Sequence, residues 1–325
     1  MSYLQAIVIA LVQGVTELFP ISSLGHSVLI PAWFGGSWQT LVTQSSQANS
    51  EQSFYLAYIV ALHCATALAL LWYFRADWVR IIRGFLVSGW RSLRTRRLSI
   101  EGPDERLAWM IVVATIPVGL TGITLEHTFR TIFAKPALAA VFLVLNGFVL
   151  LLGERFRRRH AARAAGDRGQ LEAESTALQS RHPQARRRAE MRAGRQADER
   201  ITALSFKDAV YVGVLQIGAL FAGISRSGVT IVGGLWRGLD HEDAARFGFL
   251  LATPAILAAG LLKLPSLTGS AGAHIHGQVV VGVIVAGIAA YLSVRFLMRY
   301  FETRTLTPFA IYCLVFGVAS VVRFA

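Results

Sequence analysis

Apolar residues in this chain fall in long, nearly unbroken runs rather than in the spaced stripes of a soluble helix bundle. Six of them, 54–74, 107–125, 136–153, 247–264, 278–298 and 306–323, come near the ~20 residues that a helix needs to cross a bilayer. Two further apolar stretches, 4–34 and 207–236, are interrupted at their centres by Pro20 and by Gly223 to Gly228. A helix broken at membrane depth exposes peptide groups that only protein or a watery cavity can satisfy, so such breaks usually mark a site. The pattern predicts an all-α integral membrane protein with six transmembrane helices and two re-entrant helical hairpins.

The two interrupted stretches are related to each other. A shift of 203 residues carries Gln13 onto Gln216, Ile21 onto Ile224, Ser22 onto Ser225 and Gly25 onto Gly228, with Pro20 over Gly223 and Ala6 over Ala209. With a small gap, Ala114-Thr115-Ile116-Pro117 echoes Ala252-Thr253-Pro254. Each half then holds one hairpin followed by three spans, and the odd number of crossings turns the second half over. The expected organisation is an inverted-topology repeat: a first repeat over 1–154, a linker over 155–205 and a second repeat over 206–325, with the hairpin tips meeting near the midplane.

Composition agrees with the pattern. The 325 residues are 54% hydrophobic with a mean hydropathy of +0.50, outside the habit of soluble domains. A net charge of +13 raises nucleic acid as a partner, but most arginines sit in 75–106 and 155–205, loops that the positive-inside rule places in the cytoplasm. Nucleic acid is therefore not an expected partner. The segment 155–205 has too few large apolar residues for a core and reads as a solvated linker, with attraction to anionic lipid headgroups as its other use. Loop 35–53, with Glu51 its single charge, suits the outer side. The N-terminus lacks a basic n-region and a small-residue cleavage site, so it is expected to stay in the mature protein. Cys64 and Cys313 fall in separate spans and read as small buried hydrophobes; His63 reads as packed or helix-paired, and His274 and His276 as surface residues of an outward loop.

The candidate chemistry is concentrated in the two breaks. From Gln13 to His26 the chain reads Q-G-V-T-E-L-F-P-I-S-S-L-G-H. Gln13 and Glu17 share a helix face, and Ser22 or Ser23 is placed to cap a second short helix whose positive end suits an anion. Glu17 and the amide of Gln13, together with phosphate oxygens, would make the hard oxygen set that Mg²⁺ or Ca²⁺ prefers; the plainer reading of Glu17 is a buried, protonated carboxyl. His26 lies about one turn beyond the serines, as a general base for Ser23 would. In the second break, Gly223 and Gly228 allow close approach to a ligand, and Arg226 is costly at membrane depth without an anion or water cavity. Its planar fork suits phosphate oxygens, while its structural alternative is a latch to Glu17 between the halves.

At these residues the chain resembles the undecaprenyl-diphosphatase family, the bacitracin-resistance type of bacterial membrane phosphatase. That family carries an E/Q-x-x-x-E motif, here Gln13 to Glu17, then P-I-S-S-x-G-H, here Pro20 to His26, and P-G-x-S-R-S-x-x-T, here Ala222 to Thr230 with Ala222 in the place of Pro. The resemblance covers nearly the whole chain apart from 155–205. It implies removal of the terminal phosphate from undecaprenyl diphosphate, giving the monophosphate carrier that peptidoglycan synthesis reuses. It also implies a divalent cation (Mg²⁺ or Ca²⁺), a homodimer, and a multi-pass protein of the bacterial cytoplasmic (inner) membrane whose site faces the outer, periplasmic side. By motif position, Glu17, Ser22, Ser23, His26 and Arg226 are catalytic, and the residues themselves favour Ser23 as nucleophile with His26 as its base. Ser225, Ser227, Thr230, Gly223 and Gly228 bind substrate, and Glu17 and Gln13 hold metal. Gln13 is the amide option of the first motif, and Leu24 stands where a small or hydroxylated residue is common. Attack by His26 or by metal-bound water stays open, and the rival class is a polyprenyl-phosphate flippase or other inverted-repeat transporter.

Overall fold

The computed structural model describes residues 1–47, 54–133, 135–163, 198–263 and 276–324, so most of the expected linker, and His274, lie outside the described residues. The described chain is helical, with no strand. Its elements are α1 (Tyr3–Thr16), α2 (Ser23–Phe34), α3 (Gly36–Gln47), α4 (Phe54–Tyr73), α5 (Arg75–Thr95), α6 (Pro103–Phe133) and α7 (Pro136–Arg163). They continue with α8 (Phe206–Leu215), a 3₁₀ turn (Gln216–Leu220), α9 (Arg226–Trp236), α10 (His241–Lys263), α11 (His276–Phe301) and α12 (Thr307–Phe324). Both expected interruptions are present: α1 and α2 flank one at Glu17–Ser22, and the 3₁₀ turn and α9 flank the other.

Four helices are long and apolar enough to cross a membrane, at Pro103–Thr124, Pro136–Arg158, His276–Phe301 and Thr307–Phe324. They coincide with four of the six expected spans, and they make this a multi-pass membrane protein. The run 54–74 is helical through Tyr73, but α5 continues it at a bend of 87°, and the bent pair makes a fifth span when counted as one. The run 247–264 forms most of α10, whose first turns carry His241, Glu242, Asp243 and Arg246. Its middle is packed inside the protein, with Phe247, Phe249, Leu250 and Leu251 fully buried.

Packing follows from which faces lack polar groups. α1 lies on α11 and α8 on α6, while α4 runs between α10 and α11, and α7 is held between α9 and α12. Close approach sets the first contact: a Cβ on Gly14 would stand 2.6 Å from the Ala286 carbonyl oxygen and 2.7 Å from the Ala289 Cβ. Gly213 of α8 approaches the Ala114 carbonyl of α6 more closely still. The outer face of α11 exposes Ile284, Ile288, Leu292 and Phe296, four residues apart, a stripe that suits lipid tails.

The helix starts repeat the register seen in the sequence. Ser2 caps α1 and Ser205 caps α8, each in a capping box with the residue three further on, and 205 − 2 = 203. Ser22 and Ser225 cap α2 and α9 through the N–H groups of Gly25 and Gly228, again 203 apart. At the charged end, Arg80 binds Asp77, Asp104 and Asp198 at 2.6, 2.9 and 2.7 Å, and Arg246 reaches Asp77 and Asp198 at 3.0 Å. That cluster ties α5, α6 and α10 to the segment that precedes α8.

Gly14→Leu should force α1 off α11, a loss of about 1–3 kcal/mol by overpacking, read as a lower midpoint of thermal unfolding in detergent. Gly119→Ala, where an added Cβ meets nothing within 4 Å, should leave that midpoint unchanged or raise it. Equal effects of the two would refute the packing given for α1.

Candidate active site

The two breaks are fastened to each other by side chains. Ser22 turns through a positive φ of 71°, rare for a side-chain-bearing residue. Its hydroxyl oxygen accepts from its own helix at Gly25 N (3.2 Å) and from the opposite break at Gly223 N (3.1 Å). Gly223 has φ 112°, and a Cβ there would run into the backbone of α7 at Ala139 and Leu143. Asn146 of α7 spans both breaks, its amide donating to the Pro20 carbonyl at 2.9 Å and its oxygen accepting from Ser225 N at 3.0 Å. The Ser225 hydroxyl accepts from Gly228 N at 3.1 Å and lies 3.0 Å from the Ser227 hydroxyl, which donates to the Phe19 carbonyl at 3.1 Å. Peptide groups at Phe19, Pro20, Gly223 and Ser225 thus find partners in the other half or in α7.

Against this frame sits one cluster of chemically capable groups, centred on the buried carboxylate of Glu17. One oxygen accepts from the Arg226 guanidinium of the second break. The other accepts from the Ser23 hydroxyl and from the Gln13 amide at 2.9 Å. His63 of α4 brings its Nε2 to 3.3 Å from that same oxygen, while its Nδ1 lies 2.8 Å from the Ile59 carbonyl. Four side chains from three places in the chain therefore converge on one carboxylate. Ser23 and Arg226 open α2 and α9, so two helix N-termini with their excess of unpaired N–H dipole point to the same place.

The structure distributes the expected site residues over two jobs. Gln13, Glu17, Ser23 and Arg226 come together. Ser22, Ser225 and Ser227 fasten the breaks, and Thr230 turns its hydroxyl back onto the Arg226 carbonyl at 2.9 Å. His26 is not joined to Ser23. Its Nδ1 is 2.7 Å from the Ser22 carbonyl and its Nε2 2.8 Å from the Tyr312 hydroxyl, with its ring stacked on Tyr312 and Phe316. The group that holds the Ser23 hydroxyl is Glu17. Three residues of the site escape the sequence: His63, which is paired to its own helix as expected but also meets Glu17, and Asn146 and Tyr312. The first two are lone polar groups inside apolar runs, where a side chain without a partner is costly, and that cost was the available signal.

The donor set does not fit a divalent cation held by the protein alone. Among the described residues no group of three or more His, Cys, Asp and Glu is placed to hold a metal ion. The one carboxylate of the cluster already serves three hydrogen-bond donors, one of them a guanidinium, with His63 beside it. Gln13 faces it through its NH₂ rather than its oxygen.

The chain matches the family model described as bacitracin resistance protein BacA over residues 6–319. It is 57% identical to undecaprenyl-diphosphatase 2 of Frankia alni, covering 100% of this chain and 98% of that protein. It is 54% identical to the undecaprenyl-diphosphatase of Mycolicibacterium paratuberculosis, again over 100% of this chain and 98% of the relative. A more distant relative, undecaprenyl-diphosphatase 2 of Chromobacterium violaceum, is 39% identical over 98% of each chain.

Removing Glu17 should leave Arg226 as a poorly compensated charge. Glu17→Gln is expected to cost about 3 kcal/mol or more of unfolding free energy, and adding Arg226→Gln to it should restore part of that loss. Additive effects of the two substitutions in denaturant unfolding would show that the pair does not form.

Proposed function

The chain belongs to the bacitracin resistance protein BacA family, and from that membership together with the cluster at Glu17 we propose that it removes the terminal phosphate of undecaprenyl diphosphate. The product would be the monophosphate lipid carrier, returned to peptidoglycan synthesis, and loss of the diphosphate form would give resistance to bacitracin. One observation carries the chemistry: the Ser23 hydroxyl rests on a carboxylate that also holds Arg226 from the opposite break.

In this reading the diphosphate enters between the N-termini of α2 and α9 and competes with Glu17 for Arg226. Phosphate oxygens take the guanidinium, which stabilises charge on the transferring phosphoryl group. Glu17, released from Arg226, accepts the Ser23 proton as the Oγ attacks the terminal phosphorus in line. The bond from that phosphorus to the bridging oxygen breaks, and the lipid monophosphate leaves and takes the proton from Glu17. Water then attacks the phosphoserine, giving its proton to Glu17, and Ser23 regains a proton as inorganic phosphate departs. Gln13 and His63 keep the carboxylate aimed throughout, and His26 with Tyr312 keeps the Ser22 turn in place. No step runs through a metal ion held by these residues. A divalent cation has the oxygens of the diphosphate itself as its hard ligands.

The finer topology belongs to the same proposal. An inverted repeat of 1–154 and 206–325 is supported by the paired caps 203 apart and by the matched packing of α1 on α11 and α8 on α6. With the arginines after α4 in the cytoplasm, the site faces the outer side of a bacterial cytoplasmic membrane.

Purified protein in detergent should release phosphate from a long-chain polyprenyl diphosphate. Ser23→Ala should abolish release, and Arg226→Ala should slow it about 10²–10³-fold, as loss of one transition-state donor does. Rapid quench should trap phosphate on Ser23. A folded wild type that releases none, with Mg²⁺ or Ca²⁺ supplied, would refute the phosphatase, and release without a trapped phosphoserine would refute Ser23 as nucleophile.

A further inference from the structure

Helix α5 has two apolar sides, and the protein uses one. Ile81, Gly84 and Ser88 are buried against α6. A Cβ on Gly84 would stand 2.9 Å from Glu105 N, and the Trp109 indole donates to the Ser88 hydroxyl at 2.9 Å. On the opposite side, Val79, Ile82, Leu86, Trp90 and Leu93 recur every three or four residues. They form one stripe along four turns and are exposed by 67, 50, 63, 73 and 78%. No soluble helix of this length leaves such a stripe to water without reason.

The arginines of α5 divide in the same way. Arg80 and Arg91 turn inward to Asp104 and Glu105 of α6. Arg83 and Arg94, three turns apart on one edge of the exposed stripe, are themselves exposed and have no ion pair among the described residues. Arg75 before them and Arg97 after the helix are exposed too.

The position of the helix selects what covers the stripe. α4 is an apolar helix of 20 residues, and α5 leaves it at 87° from an elbow whose Phe74 is buried beneath the Arg246 guanidinium. A helix perpendicular to a membrane-crossing one lies along the bilayer surface. A second copy docked by twofold symmetry through this face would set arginines against arginines, whereas lipid phosphates would neutralise them. We propose that α5 is an in-plane anchor: its stripe enters the acyl boundary of the cytoplasmic leaflet, and Arg83 and Arg94 hold the phosphates of anionic phospholipids. Such a helix combines apolar burial with headgroup attraction, and Trp90 within the stripe suits the interfacial zone. The proposal does not depend on the phosphatase reading.

The full chain in nanodiscs tests this through Trp90, whose fluorescence is the difference between wild type and Trp90→Phe. Lipids brominated near the top of the acyl chain should quench that difference, and aqueous iodide should not. Brominated phosphatidylglycerol should quench it more strongly than brominated phosphatidylcholine, and Arg83→Gln with Arg94→Gln should lower that preference by about fivefold for each arginine. Neither arginine touches the site, so phosphate release should persist. Quenching by iodide and not by brominated lipid would overturn the proposal. So would efficient cross-linking of Leu93→Cys between two copies, which would assign the stripe to a dimer. Lipid quenching with no preference for phosphatidylglycerol would refute the arginine clasp.

Discussion

A helix interrupted where water is excluded leaves peptide donors and acceptors that apolar surroundings cannot satisfy, and the architecture of this protein is arranged around two buried interruptions. Each unsatisfied group costs several kcal/mol in hydrocarbon. The breaks are closed crosswise, with Ser22 accepting from Gly223 and Asn146 joining Pro20 to Ser225. Neither break is complete without the other half. The strained φ of Ser22 and the close seat of Gly223 on α7 follow from the same requirement, because both turns must come within hydrogen-bond reach of one another.

That fastening is what makes the chemistry asymmetric. Under the shift of 203, Ser22 and Ser225 keep the same job, but Ser23 corresponds to Arg226, Glu17 to Leu220 and His26 to Val229. The positions that match under this shift hold the backbone, and those that differ supply a hydroxyl and a carboxylate from one side and a guanidinium from the other. A carboxylate buried alone would be expensive, as would the arginine. Placed on opposite breaks, they reduce each other's cost and meet only when both halves are folded together.

Much of this was legible from residue types, and the parts that were not have physical reasons. Pro20 and the Gly223 to Gly228 run marked the breaks because backbone constraints are written directly in those residues. Glu17, Ser23, Gln13 and Arg226 were recognisable because polar groups stand out against apolar surroundings. The assignment of Ser23 to His26 followed helical spacing along one segment, but Glu17 lies across the turn and reaches the hydroxyl instead, leaving His26 to Tyr312. Spacing along a helix cannot report contacts made across a break. His63 and Asn146 were missed for the same reason: their partners, Glu17 and the tips, are distant in sequence. The bend after Tyr73 was hidden because an apolar run followed by arginines looks the same whether the next helix turns into solvent or lies down on the membrane.

The pairing of Glu17 with Arg226 also answers an objection to a charged site at this depth. A guanidinium bound to a carboxylate looks unavailable to substrate, but the exchange is close to balanced. A diphosphate brings more negative charge than one carboxylate and accepts both prongs of the guanidinium fork. In the proposed mechanism Arg226 would therefore change partners without ever being left bare. Glu17 would give up Arg226 in that reaction while keeping the hydroxyl of Ser23, which leaves that oxygen free to act on the serine as the phosphorus arrives. By this proposed mechanism the substrate itself would convert a structural latch into a base, and in its absence the serine would remain a passive donor.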